Sequence, residues 1–462
     1  MSYTDIDRPS DYFRVKTYSG SSSDGNAITW DETDNNMRPD WLWLKNRTAS
    51  QEHWLANSVR GTGKFLESNS TNTESSDGAS GLASFDTNGF TLNDSARTNR
   101  NTMVGWGWSA GGTAPAITYV VKVVSDSGNK YRFDDFGTSA VTLDLQEGGT
   151  YTFDQSDSSN SGHPLRFSTT SNGTHGGGSE YTTGVTTVGT PGSSGAKTVI
   201  TVAASAPTLY YYCTQHSAMG GQANTNSTFG SSNFGGSIQS KVSASTDAGF
   251  SIVSYTGTGS ATTVGHGLGV APAMAIVKDR DSTYAWYVYH QGLSGASYYL
   301  ALNGTGAEFE NTAIYSSAPT STVMNIGNHG GINGSGTNYI MYCFAEKKGY
   351  SKFGSFVGNS STNGSYIHLG FKPSFVLIKR IDGSAGWFLI DNKRDTFNDA
   401  KNYLQAHSHD AEGSATILDI LSNGFKMRIN DSALNGSGNS YAYMAFAENP
   451  FVTSTGIPTT AR

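Results

Sequence analysis

Gly370-Phe371-Lys372-Pro373-Ser374-Phe375-Val376-Leu377-Ile378-Lys379-Arg380, then Asp382-Gly383, then Trp387-Phe388-Leu389-Ile390, reads as two short apolar strands joined by a polar turn. The cadence occurs three times. Gly269-Val270-Ala271-Pro272-Ala273-Met274-Ala275-Ile276-Val277-Lys278 leads to Trp286-Tyr287-Val288-Tyr289, and Met37-Arg38-Pro39-Asp40-Trp41-Leu42-Trp43-Leu44-Lys45 leads to His53-Trp54-Leu55. Each copy has a Pro, an apolar strand closing on Lys, and a Trp eight or nine residues later. Lys278 to Lys379 and Trp286 to Trp387 are each 101 residues apart. A period of that length marks a domain-sized repeat, longer than any solenoid unit.

Working outward, each copy opens on a strand that ends in a glycine turn: Tyr12 to Gly20, Phe250 to Gly257 and Tyr350 to Gly358. Leu82 to Leu92 and Ile417 to Ile429 each carry Asn-Gly (Asn88-Gly89, Asn423-Gly424) between alternating apolar residues, the strongest short-range hairpin signal. The second copy departs there, and Met324 to Gly330 reads as a rebuilt loop. The copies close on Asn101 to Trp108, Asn338 to Glu346 and Ser440 to Glu448, where alternate residues are large, as in a strand packing one face into a sandwich core. No segment sustains a helical period, and Asp395 to His407 is the one candidate for a short helix.

The 462 residues leave room for several domains; only 15% are charged, 12% are aromatic and 56 are glycine. Aromatics and punctuated apolar runs exclude disorder and indicate an all-β chain of short strands. A net charge of −7 without basic clusters argues against nucleic acid as a partner. No apolar run approaches membrane-spanning length. Met1-Ser2-Tyr3-Thr4-Asp5-Ile6-Asp7 is acidic where a signal peptide is basic, so synthesis and folding in a cytoplasm are expected. Cys213 and Cys343 fall in different units, and no disulfide framework is expected.

Between the first two copies lies a different text with its own strands: 117–124, 141–145 and 198–202. It reads as an inserted domain, since structureless loops of such length are rare. It carries Gly162-His163-Pro164-Leu165-Arg166-Phe167 and, fifty residues after His163, Cys213-Thr214-Gln215-His216-Ser217-Ala218-Met219. His, then Cys-x2-His-x2-Met at a strand end, resembles the copper site of cupredoxins, the plastocyanin-like proteins. Two imidazoles and a thiolate form a trigonal soft site for copper, and a weak axial thioether tunes its potential. His163, Cys213, His216 and Met219 are the candidate ligands. A fold that kept its shape and lost its metal would retain the same residues, with Cys213 a small buried group and the histidines structural.

Other candidates are weaker. Asp134-Asp135, and Asp391 with Asp395, are the carboxylates nearest to an acid/base pair. His407-Ser408-His409 reads as a solvated loop, His266, His290, His329 and His368 lack partners at ligand spacing, and Cys343 reads as a buried thiol. Lys45, Lys278 and Lys379 read as strand ends, and the recurring tryptophans as core in preference to sugar-stacking platforms.

Val264-Gly265-His266-Gly267-Leu268-Gly269-Val270-Ala271-Pro272, Tyr350-Ser351-Lys352-Phe353-Gly354 and Tyr441 to Phe451 resemble a module of virion structural and tail-fibre-like proteins of marine tailed phages, cyanophages especially. His163 to Ser168 and Tyr210 to Cys213 are similar to domains of the same kind of protein. The first copy departs most from the module, lacking the Ala-Glu end of its closing strand. The cadence and the insert divide the chain into three repeated β-sandwich (jelly-roll-like) modules at 1–112, 229–349 and 350–451, a cupredoxin-like Greek-key sandwich at 113–228 and a tail at 452–462. Without a catalytic cluster the protein is expected to be non-enzymatic, and the resemblance implies a place at the virion surface as a tail fibre or tail-associated protein, with other virion proteins and a host glycan or protein as partners. Such a part would typically be a homo-oligomer, a trimer above all. A capsid appendage, a copper electron carrier and a polysaccharide depolymerase stand as alternatives.

Overall fold

The computed structural model describes residues 3–76, 80–226 and 228–459. It is an all-β structure of many antiparallel sheets; among the described residues the only α-helix is the single turn Gly330–Asn333. No described helix is long and apolar enough to cross a membrane.

The same four-strand order recurs in three sheets. An opening strand pairs with a closing strand, which pairs with a central strand, which pairs with a hairpin partner. The first set is Phe13–Ser19, Thr102–Trp108, Trp41–Asn46 and Trp54–Asn57. The second is Phe250–Thr256, Asn338–Phe344, Met274–Asp279 and Tyr287–His290, and the third Ser351–Val357, Ser440–Pro450, Phe371–Arg380 and Trp387–Asp391. All these pairings are antiparallel and share one register: Trp41, Met274 and Phe375 of the central strands oppose Trp108, Phe344 and Phe446 of the closing strands.

That arrangement explains why the central strands are apolar on both faces. Antiparallel strands with one solvated face alternate apolar and polar; these are covered on both sides. Trp41, Trp43, Met274, Ile276, Phe375 and Leu377 enter a single core built by all three sheets. Their neighbours Leu42 and Leu44, Ala275 and Val277, and Val376 and Ile378 enter three further cores, one per repeat. The repeats are therefore not a string of sandwiches, each with a core of its own only, as the sequence suggests. Each buries one face privately and the other against its two sisters. Trp54, Trp286 and Trp387 are all buried, as core and not as platforms.

The sheets close into a ring whose three junctions repeat the same bonds. Trp286 Nε1 donates to the Glu67 carbonyl at 2.9 Å, Trp387 Nε1 to that of Ala301 at 2.9 Å, and His53 Nε2 lies 3.0 Å from that of Gln405. Seven residues after each acceptor, the N–H of Glu74, Glu308 and Glu412 donates to the carbonyl of Arg280, Ile381 and Arg47, each at 2.8 Å. Leu44 opposes Trp54 as Val277 opposes Tyr287 and Ile378 opposes Phe388. His53, one residue earlier, thus holds the place of Trp286 and Trp387, and Trp54 does not. Lys45, Lys278 and Lys379 close the central strands as buried amines whose Nζ donates to the carbonyl of the next residue, at 2.9, 2.6 and 2.5 Å. Burial pushes each down to about 8.

Three local expectations are corrected. The two Asn-Gly turns sit one residue earlier: Asp86 pairs with Gly89 and Leu421 with Gly424, leaving Thr87-Asn88 and Ser422-Asn423 as the loops. Both glycines serve a close approach, for a Cβ on either would lie 2.0 Å from the carbonyl of Ile28 or Ile367 on the adjacent strand, and Gly89 also adopts a φ of 128°. Within 395–407, Ala400–Gln405 is a strand and not a helix. There Asp395 Oδ2 accepts from the N–H of Lys401 and Asn402, at 2.8 and 2.6 Å, and Leu404 continues the sheet opposite Leu389. In the second repeat 324–330 is not a loop throughout, since Val323–Ile326 is a strand paired with Thr262–Gly265.

The insert is a sandwich with a core of its own. One sheet is ordered Asn129–Phe133, Ala116–Ser125, Thr150–Asp154, Lys197–Thr201, Val185–Val188; the other Leu143–Gln146, Gly221–Asn226, Leu209–Cys213, Leu165–Ser168. One pairing in each sheet is parallel. Phe234 belongs to the insert's core while Ser231–Asn233, just before it, pairs with Ser240–Ser245 of the second repeat's sheet. This stitch fixes the insert to the ring.

Candidate metal centre

The strand Leu209–Cys213 is antiparallel to Leu165–Ser168, with Cys213 opposite Leu165. His163 lies two residues before that strand begins, and His216 three residues after the other ends. Pairing of two strands separated by some fifty residues therefore brings both imidazoles to one sulfur. Cys213 Sγ is 3.9 Å from His163 Nδ1 and 3.8 Å from His216 Nδ1, and all three ligand atoms lie within 4.8 Å of one another. A metal about 2.3 Å from sulfur and about 2.0 Å from nitrogen, at trigonal angles, separates the two by about 3.7 Å. The two sulfur–nitrogen distances present fit such an ion. Met219 is buried in the core of the insert.

Burial gradates across the site: Cys213 is enclosed, His163 half-buried and His216 exposed. Burial and then the charge of His216 hold the His163 imidazole below its ordinary value, which keeps a lone pair free for a metal at neutral pH. The Tyr131 hydroxyl and Gln155 Nε2 both donate to the His163 carbonyl, at 2.8 and 2.9 Å, and fix its backbone. Thr214 N donates to the Pro164 carbonyl at 3.2 Å, tying the ligand loop to the His163 strand.

Two residues of the site escaped the sequence. Asn172 Oδ1 accepts from Ala218 N at 2.7 Å, and His175 Nε2 lies 3.0 Å from the Cys213 carbonyl. Together they clasp the 214–218 loop, in which Ala218 adopts a left-handed φ of 59°. In sequence the segment around 173–178 is only Gly-rich, and no spacing rule joins it to Cys213. Gly173 lets it close, since a Cβ there would meet the Tyr212 ring at 2.4 Å.

The remaining candidates are placed elsewhere. Asp391 pairs with buried Arg394 at 2.7 Å and accepts from Trp106 Nε1 at 3.1 Å, while Asp395 caps backbone N–H groups. Asp134 accepts from Val120 N at 2.8 Å and Asp135 pairs with Lys122 at 2.7 Å. Neither pair forms an acid/base couple. His290 and His266 are buried, His329 caps the one-turn helix, and the His407 Nδ1 and the His409 carbonyl accept separate bonds from Trp387 N and Lys45 Nζ. His368 Nδ1 is 3.1 Å from the Tyr366 hydroxyl. Cys213 and Cys343 are both free, buried thiols.

A family model described as "Domain of unknown function (DUF7483)" matches residues 8–134 and 221–450. The two ranges include the strands of the ring, and the four candidate ligands lie in 135–220, between them. No curated protein and no solved structure matches the chain.

Proposed function

We propose that this chain, which belongs to the DUF7483 family of unknown function, is a structural protein of a tailed-phage particle, a tail fibre or tail-associated surface protein without catalytic role. The particle assignment rests on the sequence resemblance of 264–272, 350–354 and 441–451. The scaffold assignment rests on one observation: three sheets share one core and lock through the same backbone bond at each junction. A body so built holds its outer loops in fixed relation, which suits a part that presents them to a host glycan or protein. Antibodies against the protein are expected to decorate intact particles in electron micrographs. Labelling confined to infected-cell cytosol would overturn the proposal. The ring also supplies within one chain the three-fold packing usually made by three chains, so the trimer inferred from the resemblance is testable by sedimentation.

A second reading concerns the insert, and the geometry of His163 Nδ1, Cys213 Sγ and His216 Nδ1 favours it. These atoms would hold copper, with Met219 the fourth candidate ligand. Bound there, copper would supply one-electron chemistry and cross-link two strands. The Asn172 and His175 clasp would keep the ligand loop in place with or without the ion. Copper titration should produce an intense copper–thiolate band that Cys213→Ser abolishes; no band and no tight binding would leave the insert a purely structural sandwich.

A further inference from the structure

The equivalence of the repeats exposes a corner in one of them that no described side chain fills as its counterpart is filled. Arg38-Pro39-Asp40-Trp41 occupies the place of Lys372-Pro373-Ser374-Phe375. Ser58 N donates to the Asp40 carbonyl at 2.8 Å, as Asn392 N does to that of Ser374 at 3.1 Å. Two residues on, Arg60 and Arg394 each reach back to a carbonyl five residues earlier, at 3.0 and 2.7 Å. The hairpins match as well, so that Phe85 stands where Ile420 does.

In the first repeat this corner is filled. Phe229, delivered by the segment that returns from the insert, lies under the Arg38 guanidinium, 3.8 Å from its ring centroid. Its N–H donates to the Ser58 carbonyl at 3.1 Å, and Thr228 packs beside Gly61. Phe85 flanks the same guanidinium at 5.4 Å. In the third repeat the same corner is a cleft of about 610 Å³ lined by Lys372, Asn392, Asp395, Phe397, Ile420 and Asn423. Among the described residues, Asn392 Oδ1 is buried there without a hydrogen-bond partner. Phe397 on the rim is 80% exposed.

We infer that this cleft receives an aromatic side chain carried on an extended segment of a partner protein, as Phe229 is received in the first repeat. The chemistry is set by the filled copy: a ring stacked on the cation at Lys372, and a backbone N–H presented to the carbonyl side of Asn392. Lys372 is held at the wall by its ion pair with Glu448. Phe397 adds a second aromatic surface beside the ring, a role that a group so exposed does not serve within the chain.

The probe is a fluorescein-labelled peptide with the sequence of residues 222–232, added to the full-length protein at up to millimolar concentration. Saturable binding is expected, weakened about tenfold or more when the peptide carries Phe229→Ala and when the protein carries Lys372→Ala, the loss of a cation–ring contact. Phe397→Ala, at a solvent-exposed position that leaves folding intact, should weaken it as well. Absence of saturable binding, or equal binding to wild type and to both protein variants, would overturn the inference. So would a hexose oligosaccharide that binds and is lost with Phe397→Ala while the peptide does not bind, which would make the cleft a glycan site.

Discussion

Arg280 grips Glu74 across the junction between the second and first repeats through two parallel bonds, Nε to Oε2 at 2.9 Å and Nη2 to Oε1 at 2.8 Å. Arg60 Nη1 completes the cluster at 2.9 Å from Oε2. The junction between the first and third repeats repeats it, with Arg47 and Arg394 on Glu412. At the third junction the two arginine positions hold Leu293 and Ile381, both in the shared core, and Glu308 turns to Ser294 instead. Two junctions are thus ionic and one apolar, on the same backbone.

Glu74→Ala should therefore cost far more than Glu308→Ala. It strands two arginines, one of them fully buried, and a broken buried pair costs about 3 kcal/mol or more. Glu308→Ala removes a partly exposed contact worth under about 1 kcal/mol. Combining Glu74→Ala with Arg60→Leu and Arg280→Ile, which copies the third junction, should recover most of the loss. Chemical denaturation of the four proteins checks this. Burial raises the Glu74 carboxyl, but Arg280 and Arg60 outweigh it and hold the group below its ordinary value. Its contribution is thus present above the unfolded carboxylate range and falls away as pH drops through the folded one.

His290 should make the fold acid-sensitive. Its Nδ1 accepts from Gly292 N at 2.9 Å and its Nε2 donates to the Tyr443 carbonyl at 3.0 Å, which defines the neutral ring. Burial pushes it from 6.5 down to about 4. The unfolded chain takes up a proton first, so stability is full above about pH 6.5 and falls by about 3 kcal/mol as pH drops to about 4. His290→Asn copies Asn57, the equivalent residue of the first repeat, and should flatten the melting temperature over that window. An unchanged slope would refute it.

Asn99, Asn333 and Asn435 are fully buried clasps with one geometry. Each Nδ2 donates to two carbonyls, those of Ser23 and Asn93, Ser260 and Gly327, and Ser361 and Ile429, at distances of 2.6 to 3.1 Å. Replacing any of them by Leu leaves those carbonyls unpaired and should cost about 2 to 4 kcal/mol, read by thermal melting. The cost should be alike at all three, since the bonds are alike.

Asn172→Ala and His175→Ala test the clasp of the candidate copper site. Neither is a candidate ligand, and the far-ultraviolet dichroism of the apoprotein should stay unchanged. Copper affinity should fall about ten- to a hundredfold in each, the usual effect of losing a group that orients the ligands. Equal affinities in competition titration would show that the strands alone place Cys213 and His216.

Much of this was legible in the chain. Alternation and turn residues marked the opening and closing strands, and the Pro-to-Lys runs marked the central ones. The order of His163, Cys213, His216 and Met219 named the candidate centre, because a strand end and its neighbour must meet at one point. Where the reading slipped, a distant partner was the cause. Residues 395–407 were the one candidate for a short helix, yet Asp395 binds the N–H groups of Lys401 and Asn402 and the strand finds Leu389. Trp54 looked like the counterpart of Trp286 and Trp387 by residue type, while register gave that place to His53.

The sequence by itself determined the all-β class, the recurrence of one strand cadence and the order of the candidate ligands, since each is written in local pattern. It also recorded that the central strands are apolar on both faces. Only the tertiary structure decided what covers the second face. A pattern of hydrophobicity states that a side chain leaves water and not which of many equally apolar surfaces it meets. The choice between three separate sandwiches and one ring with a common core was made by contacts such as Glu74 with Arg280 and His53 with Gln405, between residues hundreds of positions apart.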